Sequence, residues 1–128
     1  MRTLLLGICA LALAFSPGAR GQTATTRSVM HEKLMHAQLI LESIMVSNFD
    51  QLDRASAALQ RDTEAPGWAV LNTPEYMKQS RAFRAAVRDL REAATGRDLD
   101  TAATRYAAMT LSCYQCHRYV KGARIARR

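Results

Sequence analysis

Between Tyr76 and Ala94 the residues Tyr76, Ser80, Phe83, Val87, Leu90 and Ala94 recur at alternating spacings of four and three. Side chains at that period gather on one side of an α-helix, whereas on a strand they would scatter over both faces. The alternation is also the seam that a helix presents to its neighbours in a bundle. Its start is well marked. Thr73-Pro74-Glu75 supplies an N-cap, a proline at the first helical position and an acid in the first turn. Gly96, after Thr95, is placed to end the helix as its C′ residue.

From residue 27 to the C-terminus the remaining apolar residues also recur at three and four, and no segment alternates at two. A first helix is expected from Arg27 to Val46, with Met30, Leu34, Ala37, Leu41 and Ile44 as its stripe and Ile40 and Met45 widening it. Ser47 or Asn48 then caps a second helix over Phe49 to Arg61, which buries Leu52, Ala55 and Leu59. The irregular stretch "DTEAPGWAVLNTPEY" follows, with Pro66-Gly67 as a turn signal. Past Gly96, Asp98 or Asp100 caps a last helix whose face carries Leu99, Ala102, Tyr106, Met109, Cys113 and Val120. Four helices joined mostly by short connections define an all-α fold, an antiparallel up-down-up-down four-helix bundle. No internal repeat is evident.

The first 21 residues read differently. Arg2, the apolar run Leu4 to Phe15 and the small-residue exit Ser16-Pro17-Gly18-Ala19-Arg20-Gly21 have the form of a secretory signal peptide. The expected organisation is a leader over 1–21 and a four-helix domain over 22–128. The apolar run is too short to span a bilayer, so no membrane span is expected after cleavage. A retained anchor is the alternative. Cys9 lies inside the run after Ile8, which is a poor context for lipid attachment. Loss of the leader leaves Cys113 and Cys116 as the only cysteines and implies a periplasmic or otherwise exported protein. The chain carries a formal charge of +7, which survives in part because only Arg2 and Arg20 leave with the leader. Such a surplus suits an acidic partner or an anionic cofactor. An exported chain with few aromatic residues is a poor nucleic-acid binder.

"CYQCH", residues 113 to 117, carries the chemistry. Cysteines separated by two residues stand one helical turn apart, so both sulfurs project to the same side and can form thioethers with the two vinyl groups of a haem. His117 can then bind the iron, which makes Cys-x-x-Cys-His an attachment signature for haem c. The competing uses are a redox dithiol, a structural zinc site and a disulfide. A dithiol usually accompanies a strand-helix unit, zinc wants four ligands where three are local, and a disulfide across two residues constrains little chain.

An exported four-helix bundle with this motif on its last helix resembles the class II c-type cytochromes, the cytochrome c-prime group. The stretch "WAVLNTPEYMKQSRAFRAAVRDL" is also similar to what small bacterial exported cytochromes of this type contain. The resemblance implies a single haem c with its iron, Cys113 and Cys116 as the covalent attachment points and His117 as the proximal ligand. It implies electron transfer to and from a redox partner protein and no enzymatic turnover. A homodimer is also open to such a chain.

The opposite side of the iron separates two functions. His/Met ligation suits single-electron transfer, and an open position suits binding of nitric oxide or carbon monoxide. In this topology the start of the first helix lies level with His117, and "VMHEKLMH" offers Met30, His31, Met35 and His36. In the family's low-spin members a methionine early in the first helix binds the iron. Met30 shares the inner stripe and is the first choice; Met35 is second, because Glu42 stands seven residues on from it; the alternative is that both methionines are ordinary packing. Beyond the motif, Arg118, Lys121, Arg124, Arg127 and Arg128 meet no acids and are candidates to pair with haem propionates. Arg81, Arg84, Arg88 and Arg91 on the third helix form a candidate face for an acidic partner, or simply a solvated one. Trp68 is placed either over a haem edge or as a plug at the bundle end.

Overall fold

The computed structural model describes residues 25–126. The expected leader therefore lies outside the described residues, as do Cys9, Arg127 and Arg128. The described chain contains four helices, α1 (Thr26–Met45), α2 (Phe49–Asp62), α3 (Pro74–Thr95) and α4 (Leu99–Ile125), and among the described residues there is no strand. They form a four-helix bundle. No described helix is long and apolar enough to cross a membrane.

Each helix begins at a side chain that accepts from an otherwise unpaired backbone N–H: Thr25 from Ser28, Asn48 from Gln51, Thr73 from Tyr76 and Asp98 from Thr101. The two tight connections are the same device used twice. At the end of α1, Asn48 N–H donates to Ser43 O and Ser47 N–H to Ile44 O. At the end of α3, Asp98 N–H donates to Ala93 O and Arg97 N–H to Ala94 O. Both are Schellman closures. In each, the residue that ends one helix's bonding also caps the next helix, so α1–α2 and α3–α4 are two hairpins of one design. The sequence hides this repeat because the caps differ, Asn48 in one and Asp98 in the other. Gly96 is not the left-handed residue; that position falls to Arg97 (φ 54°) and, in the first hairpin, to Ser47 (φ 55°).

α2 and α3 bury the residues their periodicity selects. Leu52, Ala55 and Leu59 of α2 and Tyr76, Ser80, Phe83, Val87, Leu90 and Ala94 of α3 are all inside. α1 is rotated from its expected phase. Its buried positions are Val29, Lys33, Ile40, Ser43 and Ile44, with Met30 and Ala37 packed at the core's edge. Leu34, Leu41 and Met45 face outward, Met45 with 69% of its surface exposed. The physical reason is that α1 carries apolar residues on more than one side, Met35, Leu39 and Met45 lying away from the Met30 and Ile44 side, while two of its inward residues are polar. Ser43 is tolerated there because its hydroxyl donates to Leu39 O at 2.6 Å. Lys33 is tolerated because its amine lies over aromatic rings.

The connection between α2 and α3 is held down by Trp68, which is buried. Its indole Nε1 donates to Ser80 Oγ at 2.6 Å, and its ring centroid is 5.3 Å from that of Phe83. The Tyr76 hydroxyl donates to Trp68 O. α4 packs closely along α3 and only loosely on α1. The bundle is thus parted along one seam, beside the start of α1 and the end of α4.

Candidate functional site

A cavity of about 450 Å3 occupies that parted seam. α1 contributes Met30 and Lys33 to its wall, α4 contributes Cys116, His117 and Val120, and the connection and α3 contribute Trp68, Val70 and Tyr76. Lys121 and Arg124 line it one and two turns beyond the motif. The helical run of α4 through the motif places Cys113 one turn before Cys116, as the spacing requires. Both are free, half-buried thiols. Cys113 packs against the core and Cys116 opens to the cavity.

Of Met30, His31, Met35 and His36, the donors the sequence singles out, only Met30 lines the cavity. Met35 is 47% exposed and lies away from it. His31 is exposed. His36 is turned to α2, with its Nδ1 2.7 Å from Asp62 Oδ2. The structure therefore brings together Met30, Cys116 and His117 with Cys113 adjacent, and leaves Met35 and both other histidines outside.

Lys33 is the residue the sequence did not reveal. It is 6% exposed, and its Nζ stands 3.8 Å from the Phe83 ring centroid and 4.8 Å from that of Trp68. Burial pushes its amine below the ordinary lysine value, against the pull of Cys113, Cys116 and Asp62 toward the charged form. Burial likewise pushes the Cys116 thiol up, in spite of the Lys33 charge. The His117 imidazole is pushed down by burial against the cavity wall and then by Lys33. The signal for Lys33 was its place one turn after Val29 and seven residues before Ile40, legible only once the phase of α1 is known.

These environments limit the chemistry. A nucleophilic thiol needs a lowered pKa, and Cys116 has the reverse. Among the described residues, no three His, Cys, Asp or Glu side chains converge as a metal-holding group. The arginines of α3 are largely engaged within the chain. Arg84 donates to Thr63 O and Arg91 to Asp53, both at 2.8 Å, and Arg88 lies 3.8 Å from Asp89 and 4.0 Å from Glu92. All four, Arg81 included, remain exposed to solvent. No protein family, curated protein or solved structure matches this chain.

Proposed function

We propose that this chain is an exported monohaem c-type cytochrome that carries single electrons, with its haem attached through Cys113 and Cys116 in the cavity between α1 and α4. One observation carries this function: Cys116 and His117 of α4 open into the same cavity as Met30 of α1, with the second free thiol, Cys113, one turn before Cys116. A cavity of about 450 Å3 is of the size that holds cofactors, roughly 300–1,000 Å3. A bound haem would supply a one-electron ferric/ferrous couple whose potential follows its axial ligands and burial.

The chain's own residues divide the remaining work. Cys113 and Cys116 would tether a haem, each S–H adding across one vinyl group so that sulfur bonds to one carbon and the hydrogen goes to the other. His117 would hold the iron from α4, and Met30 is the candidate second ligand from α1. Trp68, Val70 and Val120 keep water from the ring. Lys121 and Arg124 offer charge-assisted hydrogen bonds to the two propionates. The same basic rim suits an acidic redox partner, since complementary charge speeds encounter. A homodimer through α1 would cover Leu34, Leu41 and Met45.

The deciding experiment is mass analysis of the full chain exported by a host that attaches haem c. The expected product is the polypeptide plus one porphyrin, and a bare polypeptide refutes the function. With haem present, a low-spin ferrous spectrum indifferent to carbon monoxide marks the electron carrier, and Met30→Ala should turn it high-spin. Rapid carbon monoxide uptake by the unaltered protein would reassign it as a five-coordinate gas-binding haem protein.

A further inference from the structure

Given the haem assignment above, the buried amine on the distal wall calls for a role. Lys33 stands one turn after Met30, and both line the cavity that His117 enters from α4. A lysine side chain at a cavity edge ordinarily extends its charged head into water. Lys33 does the opposite and holds its Nζ against the rings of Phe83 and Trp68. Among the described residues no carboxylate pairs with it. Asp62, the acid that acts on it, is already bonded to His36. What the amine meets is the two rings and the Cys113 thiol, none of them a carboxylate, whereas a charge taken out of water is expensive unless paired.

We propose that Lys33 competes with Met30 for the distal position and holds it in the ferric protein through its amine nitrogen. Ferric iron is the harder ion and amine nitrogen the harder donor; thioether sulfur is soft and matches ferrous iron. Burial also favours the neutral amine, which keeps a lone pair to donate. Met30 and Lys33 together give the distal wall one donor suited to each oxidation state. A His/Met set raises the midpoint potential of a haem, so nitrogen ligation of the ferric form lowers it.

The test uses the full exported chain, after mass analysis has shown the porphyrin, so that a missing haem refutes the cytochrome function and is not confused with failure of the Lys33 assignment. Near-infrared absorption and electron paramagnetic resonance are recorded on the ferric form of the unaltered protein, Lys33→Leu and Met30→Ala. The expected result is a low-spin ferric protein lacking the sulfur-to-iron charge-transfer band, unchanged by Met30→Ala. In Lys33→Leu that band should appear and the midpoint potential should rise. A sulfur band or a high-spin signal in the unaltered ferric protein overturns the assignment, and so does a ferric spectrum indifferent to Lys33→Leu. If Lys33→Leu does not fold, the ferric spectrum of the unaltered protein is by itself decisive.

Discussion

Emptying the Trp68 site should loosen the end of the bundle against which the cavity is built. Trp68 is 5% exposed, packs on Phe83 at 5.3 Å, donates to Ser80 Oγ and carries the Lys33 amine 4.8 Å above its ring. Truncating a buried aromatic side chain to alanine costs about 3–5 kcal/mol. The Ser80 hydroxyl left behind, itself 5% exposed, adds about 1 kcal/mol. These contributions share neighbours and do not simply add, so Trp68→Ala should cost about 4 kcal/mol. Trp68→Phe keeps most of the buried ring and loses the hydrogen bond, for about 1–2 kcal/mol. Because domains of this kind are stable by only about 5–15 kcal/mol, the alanine variant should be near its limit.

Urea unfolding of the purified haem-free protein, followed by far-ultraviolet circular dichroism, separates the two variants. With a slope of about 2 kcal/mol/M, Trp68→Ala should move the midpoint down by about 2 M and Trp68→Phe by less than about 1 M. A loss below about 1 kcal/mol for the alanine variant would refute the claim that Trp68 pins the connection between α2 and α3. Equal losses for the two variants would show that the hydrogen bond, and not the ring, is what holds it.

Three further outcomes test other parts of the molecule. Ser47 sits at φ 55° with an exposed side chain, so Ser47→Gly should relieve the left-handed strain and raise the unfolding free energy by about 0.5–1 kcal/mol, read from the same urea curves. Burial holds Lys33 below its ordinary 10.5, so between its folded value and 10.5 the unfolded chain binds more protons and haem-free stability rises with pH, while below that window the penalty is constant. Lys33→Leu should flatten that rise, and the comparison must be between variants because Cys116 and Tyr76, pushed up from 9.0 and 10.0, lower stability in the same alkaline range. Leu41→Glu, on the exposed face of α1, should convert a dimer to a monomer in sedimentation with little change in unfolding free energy; equal sedimentation of both proteins would remove α1 as the pairing surface.

What was legible in the sequence divides along the line between local and tertiary information. The seam of α3 could be read because Tyr76, Phe83, Val87 and Leu90 are large and their outward neighbours, Lys78, Arg81, Arg88 and Arg91, are charged, so the helix has one possible phase. The caps Thr73, Asn48 and Asp98 could be read, or narrowed to a pair, because a cap acts on a backbone only three residues away. The Cys113, Cys116 and His117 side of the site was likewise local, being fixed by one turn of one helix. The α1 wall of the cavity was not. It depends on how α1 is rotated against three other helices, and an α1 with Leu34, Leu39, Leu41 and Met45 outside and Lys33 and Ser43 inside defeats any rule that equates apolar with inward. Met30 stays beside the cavity in either phase because it lies at the boundary of the buried sector, partly buried against the core. Lys33 was not legible, because only packing against Phe83 and Trp68, and the poor fit of α4 to α1, make an interior amine tolerable. The same parted seam explains both departures. Where α4 stands off from α1, the helix faces a cavity and not another helix, so its inward residues answer to whatever fills that cavity, and a ligand-bearing or polar side chain can be inward without breaking a packed core.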